Sequence, residues 1–334
     1  MTLRHHLIID CDPGSGVPFS DVDDGLALAL ALAHPDVHVD GITIVAGNTP
    51  RELGYASAAE LVSLAKTHTP IFVGADDPPG GDDTVWRPLL DDRRDATAWK
   101  SEYGGSIFLA PTGHTTTRTA VDFLVDTVKA SPGQITIAAL GPLTNIAAAI
   151  RRDPGFVRAV KHIAVMGGAF LQDSLPQELN FGYDPDAAHI VMTSGADLSL
   201  IPFDVTSTTL LTHQQLELLD EDDPLQAFLK ATTSPWMRYT DSRFGLGGCY
   251  LHDPLVIASL IDPSLVTWKT ASVDVVLADP VARGRPIRWD PQGTIFGGGS
   301  QVLPHIGSAH VAESVDRARF AGLLVDTLAG FRVR

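Results

Sequence analysis

The sequence is poor in cysteine and in basic residues, and it has no long apolar run. Its two cysteines, Cys11 and Cys249, form neither a disulfide framework nor a zinc-ligand pattern, so we expect reduced thiols without a role in the chemistry. Lys and Arg number 24 against 40 Asp and Glu, and the formal net charge of −16 argues against nucleic acid as a partner. No apolar stretch reaches the roughly 18 residues that a membrane span needs. A neutral small molecule is therefore the simplest ligand to expect.

The N-terminal residues 1–6 contain no apolar core of a signal peptide and lead directly into an apolar segment. We therefore expect a cytoplasmic protein. Its 334 residues are enough to bury a substantial core, and the hydrophobic content of 44% with 19% charged residues is typical of a globular protein.

Segments typical of strands alternate with segments typical of helices along most of the chain. Strands are predicted at 7–9, 39–46, 70–74, 135–140, 161–166, 198–203 and 273–277. Helices are predicted at 25–32, 52–66, 117–130, 143–151, 185–194, 213–240, 253–261 and 313–328, and residues 76–115 predict a long loop. This alternation predicts an α/β fold, with a mostly parallel doubly wound sheet and helices on both faces. We interpret residues 1–334 as a single domain.

Five carboxylates lie within fifteen positions, where the first predicted strand gives way to the first helix: Asp10, Asp12, Asp21, Asp23 and Asp24. Ligands of open α/β sheets bind at the carboxyl ends of strands. Carboxylates that converge there repel one another unless they share a cation, and hard oxygen ligands favour calcium or magnesium. Helix capping and turn formation would explain two of these residues but not five. The cluster therefore predicts a metal-centred active site.

Polar residues also follow later strand ends. Gly141–Asn145 is a strand-to-helix turn, Met166–Gly168 ends another strand, and Glu178–Asn180 lies just beyond it. His252 and Asp253 open an apolar helix, where they would supply a proton donor and a metal ligand, or only a surface helix cap. Each of these elements is weak evidence alone.

Taken together, these motifs resemble the inosine–uridine-preferring nucleoside hydrolase family, over residues 7–255 and more weakly beyond. The matching elements, in order, are Asp10–Gly14 with Asp23 and Asp24, Val45–Asn48, Gly141–Asn145, Met166–Gly168, Glu178–Asn180, Asp184–Ala188, and His252 with Asp253. The resemblance implies a nucleoside hydrolase-like catalytic domain over the whole chain.

The resemblance implies calcium-dependent hydrolysis of the N-glycosidic bond of ribonucleosides to ribose and free base. By position, the ligands of the Ca²⁺ would be Asp12, Asp24, Asp253 and the main-chain carbonyl of Thr144. The residues that bind the ribose hydroxyls would be Asp23, Asn48, Glu178 and Asn180. Asp12 would also be the general base that activates a metal-bound water, and His252 would face the base and help it leave. A homodimer or homotetramer is implied as well.

Three features depart from the family pattern, and all three concern the pocket. One residue joins Asp-Pro-Gly to Asp-Asp in the family, whereas residues 15–22 intervene here, so that the pocket is reshaped or Asp21 replaces an expected ligand. The family's His-Gly segment has no clear match near Glu102–Gly105. The segment between Met166 and Glu178 lacks the expected Asn. We expect the catalytic class to survive these changes better than the substrate identity.

Two other interpretations remain open. The chain could hydrolyse another N-riboside, such as nicotinamide riboside or a modified nucleoside, with residues 15–22 selecting the leaving group. It could also be a catalytically inactive nucleoside-binding protein, although Asp12, Asp24 and Asp253 are all retained. Trp236, Tyr239 and Phe244 lie at a distance before His252 that suits a helix stacking on the base, or they belong to the core.

Overall fold

The computed structural model of the chain describes residues 5–74, 83–95, 109–110, 117–171, 177–290 and 307–332. Within these ranges, no helix is both long and apolar enough to cross a membrane. Glu102–Gly105 lies outside the described residues.

Within the described ranges, nine strands form one sheet in the order β10-β9-β11-β6-β5-β4-β1-β2-β3. Their bounds are β1 His5–Cys11, β2 Val37–Ile44, β3 Ile71–Val73, β4 Ile135–Ala139, β5 His162–Met166, β6 Leu198–Ile201, β9 Val266–Val275, β10 Pro286–Trp289 and β11 Ser308–Val315. The pairs from β3 across to β11 are parallel, and β9 is antiparallel to both of its neighbours. Strands β7 (Leu210–Thr212) and β8 (Gly248–Tyr250) form a separate antiparallel pair.

The helices connect the parallel strands and then complete the C-terminal part. Their bounds are α1 Asp23–Ala33, α2 Arg51–Leu64, α3 Asp83–Asp95, α4 Ala120–Ala130, α5 Thr144–Arg152, α6 Phe156–Ala159, α7 Leu179–Tyr183, α8 Pro185–Met192, α9 Phe203–Thr206, α10 His213–Leu216, α11 Pro224–Phe244, α12 His252–Ile261 and α13 Arg317–Gly330. A short 3₁₀ helix, Pro263–Leu265, precedes β9.

Helices cover both faces of the sheet, as strand β1 shows. Successive side chains of a strand point to opposite faces. Leu7 and Ile9 belong to a core that also contains residues of α1, α2, α11, α12 and α13. Ile8, between them, belongs to a second core built with α4, α5 and α8. The predicted α/β fold, with a mostly parallel sheet and helices on both faces, is therefore confirmed.

The topology places four strand ends side by side. Strand β1 pairs with β2 on one side and β4 on the other, and β4 pairs with β5. Because all three pairs are parallel, the segments that leave these strands share one edge of the sheet. The acidic segment after β1 therefore lies next to the segments that begin near Val45, Leu140 and Gly167.

Two parts of the predicted secondary structure are wrong. The predicted loop at 76–115 contains α3. Its exposed Pro88 and Leu89 and its many charged residues obscure the helical periodicity of this segment in the sequence. Residues 313–315, assigned to the last helix, end strand β11 instead, and α13 begins at Arg317. Strand β11 lies between β6 and β9, and this tertiary pairing outweighs a helical sequence pattern.

Candidate active site

Asp12 lies directly after β1 and is buried. Its main-chain N–H donates a hydrogen bond to Asp24 Oδ1 at 3.1 Å, which ties the strand end to the start of α1. Its Oδ2 accepts a hydrogen bond of 2.5 Å from the main-chain N–H of Asn48, in the segment after β2. Three consecutive elements of the chain therefore fix the position of this carboxyl group.

Burial raises the pKa of Asp12 to about 7, and the negative charge of Asp23 adds to this effect. The Asn48 N–H and the positive charge of Arg87 act in the opposite direction. Arg87, on α3, donates to the main-chain carbonyl of Gly47 beside the site. A carboxyl group whose pKa lies near neutrality is suited to accept a proton during catalysis.

Asp10 supports this strand end from within the core. It is fully buried, and burial raises its pKa to about 7. Its Oδ1 accepts hydrogen bonds from Thr43 Oγ1 at 2.5 Å and from Asn145 Nδ2 at 2.8 Å. Asp10 thereby links β1 to β2 and to α5, and it holds the strand that carries Asp12.

Asp23, Asp24 and Asp253 converge at the starts of α1 and α12, which pack against each other. Each offers one carboxylate oxygen, these oxygens lie within 4.8 Å of one another, and all three residues are buried. Burial, together with the charges of neighbouring carboxylates, raises the pKa values of Asp24 and Asp253. A buried group of hard oxygen donors fits a divalent cation such as Ca²⁺, which would offset this repulsion.

A cavity of about 260 Å³ opens beside these carboxylates. The described residues that line it are Asp12, Asp21, Asp23, Asp24, Asn48, Trp86, Leu140, Met166, Gln177, Glu178, Leu179, Asn180, Phe203, His252 and Asp253. Eight of the nine predicted site residues therefore meet in one cavity. Thr144 is not among these described lining residues.

Thr144 begins α5 at the end of β4 and is buried at the same sheet edge. Its hydroxyl donates a hydrogen bond of 2.8 Å to Asp184 Oδ2. Asp184 in turn caps α8 by accepting from the main-chain N–H of Ala187 at 3.0 Å. The contribution of the Thr144 carbonyl to cation binding stays a prediction.

Main-chain groups hold two of the predicted ribose-binding residues in place. Glu178 accepts hydrogen bonds from the N–H groups of Gly168, Asn180 and Phe181 at 2.6, 2.8 and 3.1 Å, and it caps α7. Burial raises the Glu178 pKa, and these N–H groups oppose the shift. The Asn180 Nδ2 donates to the carbonyls of Leu140 and Met166 at 2.6 and 3.1 Å. The side-chain oxygen of Asn180 is consequently the atom best suited to a ligand.

His252 begins α12 and lines the cavity. Its Nδ1 forms a hydrogen bond of 2.7 Å with the Thr206 hydroxyl, which leaves Nε2 to meet a ligand. The ring stacks on Phe203 with a centroid distance of 5.2 Å and an interplanar angle of 25°. Burial lowers the pKa of His252, opposed by the negative charge of Asp23.

The aromatic residues at the cavity differ from those singled out in the sequence. Trp86 and Phe203 line it, whereas Trp236, Tyr239 and Phe244 are not among its described lining residues. Tyr239 packs on Phe19 and Trp236, and Phe244 is 66% exposed. Trp86 was not predicted as a site residue because helix α3 was not predicted. Phe203 was not predicted because nothing in its local sequence distinguishes it from a core residue.

Residues 15–22 lie beside the site and are largely buried. This segment brings Asp21 into the cavity next to Asp23. Burial raises the pKa of Asp21, and the neighbouring charge of Asp23 raises it further. Cys11 and Cys249 are both unpaired and buried, and burial raises the pKa of each thiol, so neither is a reactive thiolate.

The sequence model of the inosine-uridine preferring nucleoside hydrolases matches residues 7–322, nearly the whole chain and every strand end of the site. The chain belongs to this family. Nucleoside hydrolases act on N-glycosyl bonds, so this family member is an enzyme of that class.

Individual members of the family agree with this assignment. The chain is 34% identical over 278 residues to a probable uridine nucleosidase 1 of Oryza sativa subsp. japonica, and the alignment covers 81% of each chain. The solved plant nucleoside hydrolase PpNRh1 superimposes with a TM-score of 0.80 at 29% identity, covering 98% of this chain and 99% of its own. A purine-preferring ribonucleoside hydrolase from Gardnerella vaginalis gives 0.79 at 28% identity, covering 97% and 98%.

Proposed function

We propose that this nucleoside hydrolase cleaves ribonucleosides to ribose and free base in a calcium-dependent reaction, with Asp12 as the general base. The observation that carries the proposal is the single cavity of about 260 Å³ that joins Asp12, the group of Asp23, Asp24 and Asp253, and His252. A proton acceptor, a cation site and a group that can assist the leaving base are all needed for this reaction.

Asp24 and Asp253 would hold the Ca²⁺ together with Asp12 and the carbonyl of Thr144, as the family resemblance implies. Asp23 belongs to the same group of carboxylates. A bound divalent cation would lower the pKa of a coordinated water and would orient the reacting groups.

Asp12 would take the proton of the attacking water. Its carboxyl group is buried, and its Oδ2 is held by the Asn48 N–H at 2.5 Å, so little reorganisation is needed. The bond to the base breaks with positive charge developing on the ribose ring, as in other glycoside hydrolyses. The carboxylates around the cavity would stabilise that charge.

His252 would assist the departing base through Nε2, because Nδ1 is bonded to Thr206. The stacked Phe203 and the Thr206 hydroxyl fix the plane of the ring. A neutral imidazole can donate a hydrogen bond from Nε2–H to the leaving nitrogen and so stabilise the departing base, whereas transfer of a proton would require the imidazolium form.

Asp23, Asn48, Glu178 and Asn180 would bind the ribose hydroxyls. These residues come from three strand ends that the parallel sheet brings together, and each lines the cavity. A substrate without ribose hydroxyls would lose these contacts, so we expect weak activity on 2′-deoxynucleosides.

The preferred base follows from neither the fold nor the relatives. The Oryza sativa relative is named for uridine and the Gardnerella vaginalis structure for purines. Residues 15–22 contribute to the cavity through Asp21, which favours a second candidate, hydrolysis of another N-riboside such as nicotinamide riboside. Cytoplasmic location and a homodimeric or homotetrameric assembly stay predictions.

The proposal is tested by identifying ribose and free base chromatographically after incubation with uridine, inosine and nicotinamide riboside. Asp12→Asn is expected to lower kcat by about 100-fold or more, because general base catalysis typically contributes a factor of roughly 10² to 10⁴. Asp126→Asn removes an exposed carboxylate of α4 and is the matched control, with activity unchanged. Equal activity of the Asp12 and Asp126 variants would refute the assignment of the base.

A further inference from the structure

We infer that Asp21, placed by residues 15–22, binds the substrate directly and accepts a hydrogen bond from a hydroxyl of the ribose cis-diol. The inference rests on the proposed function and adds a specificity-determining residue that the family pattern does not contain. Four observations carry it: the closure of the segment, its anchoring, its capture of Asn48, and the position of the Asp21 carboxyl group.

Residues 15–22 form a closed loop between β1 and α1. The Val17 N–H donates to the Gly14 carbonyl at 2.9 Å and starts the turn. The loop returns so closely that a Cβ atom at Gly14 would lie 2.1 Å from the main-chain oxygen of Asp21. Its two ends therefore touch, and the added residues leave the flanking carboxylates Asp12 and Asp23 at one site.

The loop is anchored to its surroundings. Val17 is 1% exposed, and Phe19 is 8% exposed. The Phe19 ring packs edge-to-face on Tyr239 of α11, with a centroid distance of 5.1 Å. Phe19 also adopts a φ of 60°, a left-handed conformation that a bulky residue rarely accepts without tertiary support. Such a buried and constrained loop is suited to position one side chain.

The loop also forms hydrogen bonds with the side chain of Asn48. The Asp21 N–H donates to Asn48 Oδ1 at 2.9 Å, and Asn48 Nδ2 donates back to the Asp21 carbonyl at 2.9 Å. A second, longer bond of 3.4 Å runs from Nδ2 to the Asp12 carbonyl. Both amide hydrogens of Asn48 therefore point to main-chain carbonyls, so Asn48 positions the loop while it also lines the cavity.

The Asp21 carboxyl group takes the adjacent place in the cavity. Its Oδ1 accepts from the Val22 N–H at 2.7 Å, which orients the group at the start of α1. The Asp21 and Asp23 carboxyl groups both line the cavity, two positions apart in the chain. Among the described residues, Asp23, Asp24 and Asp253 form the group of carboxylates whose oxygens lie within 4.8 Å of one another, and Asp12 and Asp21 line the same cavity outside that group. Asp21 therefore lies in the cavity beside the cation group, where a bound substrate can reach it.

Two neighbouring carboxylates accept well from a cis-diol, whose two hydroxyls are both donors. Removal of the hydroxyl that faces Asp21 would leave a half-buried carboxylate without its donor. Hydrogen bonds to charged groups are the strong ones, and a lost bond of this kind typically lowers binding by roughly 10- to 100-fold. Asp21 would thus strengthen discrimination against deoxynucleosides.

The test compares the wild type with Asp21→Asn on the best ribonucleoside and on its 2′-deoxy and 3′-deoxy analogues. Asn keeps an oxygen for the Val22 N–H but removes the charged acceptor. We measure kcat/KM, or Ki of the analogue as a competitive inhibitor where turnover is too slow. Asp21→Ser, which also keeps an acceptor at the helix start, guards against a defect peculiar to Asn. Asp126→Asn is the matched control.

In Asp21→Asn we expect kcat/KM for the ribonucleoside to fall by about 10- to 100-fold. For one of the two deoxy analogues, the loss in kcat/KM or in binding should be about threefold or less. An equal loss on all three compounds would show that Asp21 only supports the scaffold, and no loss would show that it has no role; either overturns the inference. Wild-type protein that cleaves none of the N-ribosides would instead refute the proposed function, and the inference with it.

Discussion

Asp10 and Asp12 are neighbouring buried carboxyl groups at the end of β1, and burial raises the pKa of each from 3.8 to about 7. Their protonated forms are therefore favoured in the folded protein more than in the unfolded chain. Because the folded state binds more protons, protonation of Asp10 and Asp12 adds to the free energy of unfolding. This contribution is fully present below about pH 4 and is lost as the pH rises through about 7. A bound cation compensates the negative charge that appears.

We therefore expect cation-free protein to melt at a lower temperature at pH 8 than at pH 5.5, and calcium to raise the pH 8 value more than the pH 5.5 value. Thermal denaturation in EDTA and in excess CaCl₂ measures both effects. Asp10→Asn tests whether the Asp10 carboxyl group contributes to this pH dependence, because Asn can still accept the hydrogen bond from Thr43 but does not titrate. An EDTA melting temperature that rises between pH 5.5 and pH 8 would contradict this electrostatic interpretation.

The contribution of His252 to kcat is expected to be larger for a leaving group that needs stabilisation as it departs than for one that leaves as a stable anion. His252→Ala should lower kcat on a natural nucleoside by about 100-fold, but by less than about 10-fold on p-nitrophenyl riboside, whose leaving group departs as a stable anion. Steady-state kinetics on both substrates measure the difference. His310→Ala, at an exposed position of β11, is the control that should change neither. Equal losses on both substrates would assign His252 to substrate positioning.

Among the elements, the turns after β2 and β4 decide how closely the main chain approaches Asp12. A Cβ atom at Gly47 would lie 2.0 Å from Asp12 Oδ2, and one at Gly141 would lie 2.7 Å from Asp12 Oδ1. Neither position has space for a side chain. Glycine at both strand ends is thus a requirement of the site, because the carboxyl group fills the space between two turns.

Gly47→Ala is expected to displace the Asp12 carboxyl group and to lower kcat by about 100-fold, since shifts of about 1 Å cost this much in rate. Gly322→Ala is the matched control, because nothing lies within 4 Å of a Cβ at that position of α13. The control should keep full activity and gain up to about 1 kcal/mol in stability from helix propensity. Denaturation and steady-state kinetics of both variants test this. Unchanged kcat in Gly47→Ala would contradict the packing argument.

The elements that sequence reasoning found are those with strong local signals. The buried apolar runs of β1, β2, β4 and β5 lie where they were predicted, because strands covered on both faces are continuously apolar. Helix α3 was missed because its amphipathic pattern is short and rich in charge, and Trp86 was missed with it. Strand β11 was missed because its pairing is entirely non-local.

At the scale of the whole molecule, the parallel sheet converts sequence separation into proximity. Asp12 and Asp253 are 241 positions apart in sequence, yet both line one cavity at the sheet edge. The sequence predicts which residue types meet there, because strand ends of a parallel sheet share an edge. It does not predict the capture of Asn48 by Asp21, since that depends on the path of residues 15–22.

The net charge of −16 acts at the same scale. It repels anionic ligands at long range and concentrates cations near the acidic edge, so a neutral nucleoside with a bound divalent cation suits this field better than a nucleotide does. The single-domain interpretation and the assembly into dimers or tetramers stay predictions, because they depend on surfaces that no motif identifies.

The most direct test of calcium-dependent nucleoside hydrolysis is a reducing-sugar assay over a panel of purine and pyrimidine ribonucleosides, with EDTA and after calcium is restored. The proposed function predicts ribose release from at least one nucleoside, loss of that release by at least about 100-fold in EDTA, and recovery with calcium. Ribose release that EDTA leaves unchanged would contradict the role of the cation, and no release from any nucleoside would contradict the reaction itself.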